Sequence, residues 1–202
     1  MPRMTREESR LQTREKLMLA AARMFAREGL GGASIDRIAE EAGYSKGAFY
    51  SNFESKEDIF LQLIEATTRQ NIEKIKTALA GVTDPQEIVE AVCAWANAHT
   101  HEPDMRPLVP DLVRHAKQDA ALTKRHTELF STQWTIVGKL LLRAFPKGRA
   151  PATALELGAL VMELTYGTAV QFHAGPTGGD LVRIALKGLM TAAQMPRKTN
   201  HA

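Results

Sequence analysis

Ser34-Ile-Asp-Arg-Ile-Ala-Glu-Glu-Ala-Gly-Tyr-Ser-Lys-Gly-Ala-Phe-Tyr-Ser-Asn-Phe-Glu-Ser-Lys-Glu-Asp-Ile-Phe60 is the stretch that decides the fold. Ser34 is placed to cap a helix whose first turn holds Asp36, where a carboxylate favours the helix dipole. Ile35, Ile38, Ala39 and Ala42 form its apolar stripe, and Gly43 ends it with the left-handed backbone that a tight turn needs. Ser45 then caps a second, very short helix, Lys46–Phe53, on which Phe49 and Phe53 fall four apart and face inward. Helix, tight turn, short helix is the layout of a helix-turn-helix. With Phe49 and Phe53 turned in, Lys46, Tyr50, Ser51 and Asn52 remain for the outer and flanking surfaces. A cation, a phenol, a hydroxyl and an amide are groups that meet phosphates or base edges. Gly47 and Ala48 are small enough for the start of the short helix to come close to a base edge. Lys56 stands at the start of the following helix, where free N–H groups already favour a phosphate. The same polar residues would also simply solvate a small three-helix bundle.

Working outward, the periodicity is helical almost everywhere, and no period-two strand pattern is evident. Upstream, Thr5 or Thr13 can start a helix in which Leu11, Met18, Ala22 and Phe25 recur, with Gly29 as its stop. Downstream, Ser55 opens a helix running to about residue 80. Longer helices are then expected near 84–100, 104–117, 119–144, 152–174 and 178–194, separated by Gly- and Pro-containing breaks. Pro110 makes the 104–117 segment the weakest of these. The expected fold is all-α with about nine helices. A three-helix unit over residues 1–54 precedes a larger bundle over 55–202.

Composition limits what such a chain can be. Its 202 residues are 44% hydrophobic and 24% charged, the mix of a globular protein. The single cysteine, Cys93, excludes an internal disulfide framework, and with no secretory signal it points to a reducing, cytoplasmic setting. No window offers a membrane span, because Glu156 and Glu163 interrupt the best candidate, Leu155–Phe172. The net charge is +3, yet residues 1–60 hold ten basic and ten acidic side chains. An argument for nucleic acid must therefore rest on where charges sit and not on their sum. It requires that the carboxylates lie on faces turned away from DNA. Arg3, Arg6 and Arg10 read as a solvated arm.

The quoted stretch resembles the N-terminal signature of TetR/AcrR-type transcriptional regulators, over about 50 residues from Thr13 to Leu63. The opening Arg14-Glu15-Lys16, the Ala-Gly-x-Ser-Lys-Gly turn, the Tyr-x-x-Phe pair and the Ser-Lys-Glu helix start carry the likeness. Tyr44 and Phe49 stand where the family more often has smaller aliphatic residues. The resemblance implies a homodimer whose recognition helices enter the major groove of an operator. It places Ser45, Lys46, Gly47, Ala48, Tyr50, Ser51 and Asn52 on the DNA, with Ser34 and Lys56 on the flanking backbone. It also implies a repressor released by a small-molecule effector. An activator, or a binding or scaffold protein of the same fold without DNA reading, are the alternatives.

The larger half suits an effector site and a dimer interface. The 152–174 helix is apolar on two faces, Leu157, Leu160, Val161, Leu164 and Phe172 on one and Ala159, Met162, Tyr166 and Val170 on the other. The last helix adds Leu181, Ile184, Ala185, Leu189 and Ala192. In the family these two helices pair across the dimer axis. Trp95, His99, Met105, Phe130, Trp134, Met162, Glu163 and Tyr166 are the tentative ligand-binding residues, with Cys93 and His173 nearby in pattern. The same residues at helical spacing also suit plain core, and Glu163 also suits an exposed position. No catalytic or cofactor signature is present. His99-x-His101-Glu102 lacks the spacing of a helical two-histidine metal site. Cys93, flanked by Val92, Ala94 and Trp95, reads as buried filler. Asp111, Arg114 and His115 have the spacing of a surface ion pair. The chain is expected to use no metal or cofactor and to be no enzyme.

Overall fold

The computed structural model describes residues 5–100, 113–114, 119–167 and 175–195, and these residues hold eight α-helices and no strand. The expected positions Arg3, Met105, the His101–Glu102 pair, Asp111, His115, Val170, Phe172 and His173, and nearly all of the 104–117 segment, lie outside them. Among the described residues no helix is long and apolar enough to cross a membrane. The chain divides into two compact units, residues 1–68 with 103–127 and residues 69–102 with 128–202. The division falls inside the fourth helix.

In the first unit, α1 (Arg6–Gly32) begins at Thr5 and not at Thr13. Thr5 Oγ1 accepts from the Glu8 N–H at 3.1 Å while Glu8 Oε2 accepts from the Thr5 N–H at 2.7 Å, a reciprocal capping box. Gly29 leaves helical geometry at φ 68°, as its stop position requires, and a final turn through Gly32 follows the kink. One expectation needs correction. Leu11 is 55% exposed, and the face that packs inward is Leu17, Ala20, Ala21, Met24 and Phe25. The segment from Leu17 to Phe25 is apolar on several faces, so periodicity alone does not choose the inner one. α2 (Ile35–Glu41) and α3 (Lys46–Tyr50) follow, and then α4 (Lys56–Ala78), whose first turn is capped by Ser55 Oγ accepting from the Asp58 N–H. Phe25 meets Phe60 edge to face at 5.1 Å in the centre of this unit.

Ion pairs tie the elements of this unit together. Glu41 accepts from Arg27 at 2.7 Å and Arg23 at 2.8 Å, which holds its carboxyl down at about 2. Both Arg37 guanidinium nitrogens reach Glu28 at 2.6 Å. At the start of α6 (Ala120–Leu141), Arg125 bridges Asp58 at 2.9 Å and Glu65 at 3.2 Å. Burial pushes the Asp58 carboxyl up, but donors from Gln62, Arg125 and the Glu54 N–H outweigh it, and the net shift is downward.

The second unit comprises the end of α4, α5 (Pro85–Thr100), the rest of α6, a 3₁₀ turn (Leu142–Ala144), α7 (Ala154–Tyr166) and α8 (Gly178–Gln194). Thr153 with Glu156, and Thr177 with Asp180, cap α7 and α8 by the same reciprocal bonds as Thr5. Glycines allow backbones to touch here. A Cβ on Gly158 would collide with the Trp134 carbonyl, one on Gly138 with that of Ala154, and one on Gly179 with the Cys93 carbonyl and the Asn97 amide. Cys93 is fully buried, and burial raises its thiol pKa.

Two outcomes test this packing. Gly158→Ala should lower stability by about 1–3 kcal/mol, because backbone and not a flexible side chain must yield. A thermal melt unchanged from wild type would contradict that. Asp58, with its folded pKa depressed, contributes stability above its ordinary value of 3.8 that is lost as pH falls through the lower folded value. Arg125→Ala should therefore cost about 1 kcal/mol near neutral pH, and the gap to wild type should close under acid. Denaturant curves across pH would show a constant gap if the pair carries no such linkage.

Candidate functional site

The turn between α2 and α3 is built by local hydrogen bonds. The Gly43 N–H donates to the Glu40 carbonyl at 2.9 Å and the Tyr44 N–H to that of Ala39 at 2.8 Å, with Gly43 at φ 77°. A side chain at Gly43 would meet no neighbour, so it is the backbone angle that asks for glycine. Ser34 Oγ accepts from the Arg37 N–H and Ser45 Oγ from the Ala48 N–H, so both serines cap their helices. α3 spans five residues, Lys46–Tyr50, shorter than the expected Lys46–Phe53. Asn52 and Phe53 follow it in turns that still donate to the Phe49 carbonyl.

Beneath α3, Phe49 and Phe53 are buried with ring centroids 5.6 Å apart. Arg14 of α1 clamps this end. Its guanidinium lies 4.5 Å over the Phe53 ring, donates to the Asn52 carbonyl at 2.9 Å and bonds Gln62. Facing outward, Ser34, Lys46, Tyr50 and Lys56 line one open depression of about 410 Å³. Tyr50 is half exposed and stands edge-on to Phe49. Gly47 has only Ser45 Oγ, at 3.7 Å, near the place of a Cβ. Ser51 and Asn52 are turned back on α3, donating to the Gly47 and Ala48 carbonyls, and Asn52 Oδ1 is buried without a partner.

The charges divide less simply than the neutral sum suggests. Glu28 and Glu41 are engaged by arginines of α1 and α2. Asp36, Glu54 and Glu57, however, line the same depression as the lysines, against the expectation that carboxylates lie elsewhere. Lys46 Nζ donates to Asp36 at 3.0 Å, which raises the lysine pKa, and Lys56 Nζ donates to the Ala33 carbonyl at 3.1 Å. Each ammonium carries three donors, so one internal bond leaves others for an incoming phosphate.

Residues 17–63 match the model of the bacterial regulatory proteins of the tetR family. Over that segment the chain is similar to this family. YerO of Bacillus subtilis (strain 168), described as an uncharacterized HTH-type transcriptional regulator, is 35% identical over 82 residues, 39% of this chain and 28% of YerO. UidR of Escherichia coli (strain K12), an HTH-type transcriptional regulator, is 23% identical over 190 residues, 90% of this chain and 94% of UidR. The alignment spans about half the length or less of several curated relatives, YerO among them. Among solved structures, FadR from Bacillus subtilis in complex with stearoyl-CoA superposes with a TM-score of 0.67 at 17% identity. That superposition covers 88% of this chain and 97% of FadR, a likeness of fold.

The expected ligand-binding residues separate into groups. Trp95, His99 and Tyr166 converge. The Trp95 and His99 rings stack at 4.8 Å, and Tyr166 meets Trp95 edge-on at 6.4 Å. Lys74 Nζ lies 3.2 Å from His99 Nε2, and an ammonium can only donate, so Nε2 accepts and Nδ1–H donates to the Trp95 carbonyl at 2.7 Å. Phe130 and Trp134 make a separate edge-on pair at 5.9 Å, and Met162 belongs to the apolar core. Glu163 is exposed. Two members of the convergent group are not in the expected set: Lys74, and Asn71, which is buried and donates to the Tyr166 hydroxyl at 3.0 Å. A signal for Asn71 exists, an amide among Ile64, Ile72 and Ile75 on the buried face of α4.

The space around Gly47 gives a clean test of α3 as a reading element. Gly47→Ala adds a methyl that clashes with nothing in the protein, and its helix propensity is better. It should leave the melting temperature equal or higher, and if α3 meets a base edge at Gly47 it should weaken DNA binding about tenfold or more. Unchanged affinity would place the close contact elsewhere.

Proposed function

We propose that the chain is a ligand-responsive, dimeric transcriptional repressor that reads an inverted-repeat operator with α3 and releases it when a small apolar or aromatic effector binds the second unit. The observation that carries this reading is the opening of Ser34, Lys46, Tyr50 and Lys56 onto one depression while Phe49 and Phe53 hold α3 from below. Ser45, Gly47, Ala48 and Ser51 complete the DNA-facing set with Asn52, whose amide must leave the Ala48 carbonyl to reach DNA. The division of labour is a DNA-reading unit over residues 1–54 and an effector and dimer unit over 55–202.

Self-association is supported by α8. Its inner face is Val182, Leu186, Met190 and Ala193, while Ile184 is 72% exposed and Leu181, Ala185 and Ala192 share its side. On α7, Leu155 is likewise exposed. An apolar side of this kind favours a partner helix. A two-fold dimer sets its recognition helices about 34–36 Å apart, or a multiple of that. An effector is supported by the buried aromatic and polar cluster at Trp95, and by FadR, a fold neighbour solved with stearoyl-CoA. Effector binding weakens DNA affinity only by its preference for the conformer with the wrong helix separation.

The test is fluorescence anisotropy on a duplex from the region upstream of the chain's own gene, against a scrambled duplex and across salt. Tight, sequence-dependent binding with a steep salt slope is expected. Lys46→Ala should weaken binding to all sequences and reduce the slope by about 1, and Tyr50→Phe should weaken binding without that change in slope. Unaltered affinity and slope in both variants would overturn the assignment of these contacts.

A further inference from the structure

Five buried side-chain nitrogen or oxygen atoms lack a hydrogen-bond partner among the described residues, and two of them belong to one cluster. Trp95 Nε1 is a donor and Asn71 Oδ1 an acceptor, on side chains that are 5% and 6% exposed. They are linked through Tyr166, whose hydroxyl accepts from Asn71 Nδ2 and whose ring abuts Trp95. Each such buried orphan is costly to the fold that holds it. An unpartnered donor and an unpartnered acceptor, buried in one cluster of aromatic rings, mark a place that a complementary molecule would satisfy.

We infer that Trp95 Nε1 and Asn71 Oδ1 are the polar end of the effector site, and that the effector is a neutral aromatic or heteroaromatic molecule bearing a carboxamide or lactam. The inference rests on the effector reading above and gives that site a ligand class. A carboxamide offers a carbonyl to the Trp95 N–H and an N–H to the Asn71 carbonyl oxygen. An ionised carboxylate satisfies only the first and sets its charge against the second. An ester or ketone likewise leaves Asn71 Oδ1 unmet. The Trp95–His99 stack and the Tyr166 ring supply flat apolar walls for the body of the molecule.

Three near-isosteric probes separate these contributions: benzamide with both groups, acetophenone with the acceptor alone, and α-methylstyrene with neither. The readout is the indole N–H resonance of Trp95 in the full chain labelled with ¹⁵N-tryptophan, with Trp134→Phe to assign the two indoles. Benzamide should move the Trp95 resonance and bind roughly five- to tenfold more tightly than acetophenone, the worth of one hydrogen bond, with α-methylstyrene weakest. Asn71→Leu should abolish the preference for benzamide over acetophenone while acetophenone still shifts Trp95. Trp95→Phe, followed by ligand-observed saturation transfer, should remove the preference for acetophenone over α-methylstyrene, and it serves if Asn71→Leu does not fold. A Trp95 resonance unmoved by benzamide, equal affinity for all three probes, or a benzamide preference that survives Asn71→Leu would each overturn the inference. Anisotropy of the DNA complex with benzamide is read separately. Binding in the expected order without release of DNA supports the site and overturns only its coupling to DNA.

Discussion

A helix of five residues has no stability of its own, since nucleation costs more than so few hydrogen bonds return. α3 exists because Phe49 and Phe53 are buried beneath it and because Arg14 pins the turn that follows. Every outward property of the DNA-facing surface depends on that burial. It sets which residues of Lys46–Asn52 are left outside, and it leaves the Gly47 side of the helix bare. The Gly43 turn and the two serine caps then set the angle at which α3 leaves α2. The outward set in this unit is therefore placed by apolar packing beneath it.

Electrostatics acts on that frame by placement. The first unit commits four arginines to carboxylates of neighbouring helices, Arg23 and Arg27 to Glu41, Arg37 to Glu28 and Arg125 to Asp58 and Glu65. These exposed or half-exposed pairs are each worth little, but together they fix the register of short helices. The depression itself is mixed, with Asp36 on Lys46. A phosphate must compete with that carboxylate, which disfavours loose, sequence-blind binding and leaves more of the discrimination to the small residues at the start of α3.

The fold was largely legible because capping residues and glycine stops carry their own mechanism. Thr5, Ser34, Ser45 and Ser55 mark helix starts, and Gly29 and Gly43 mark ends, close to where they fall in the sequence pattern. The inner face of α1 was not legible, since Leu11 and Leu19 are as apolar as the buried Leu17 and only tertiary contacts decide among them. The stripe Leu181, Ile184, Ala185, Leu189 and Ala192 of the last helix is not the one α8 turns inward, because both sides of that helix carry apolar residues. The helix-turn-helix was legible as a local motif, and the proposed DNA-facing set is read from it. Within it, the return of Ser51 and Asn52 to their own helix backbone was not, because serine and asparagine bond to water, DNA or backbone with equal ease. Asn71 reaches Tyr166 across 95 residues of sequence, and nothing local announces such a pair. The glycine contacts of Gly138, Gly158 and Gly179 likewise join elements distant in the chain.

The measurement that tests the central claim most directly is selection of bound sequences from a random duplex library by the full chain. A protein that reads DNA with α3 as a two-fold dimer should enrich an inverted repeat whose half-site centres lie about one helical turn, or a multiple, apart. Enrichment of a single direct site, or of no sequence at all under conditions where the protein is folded, would contradict the account.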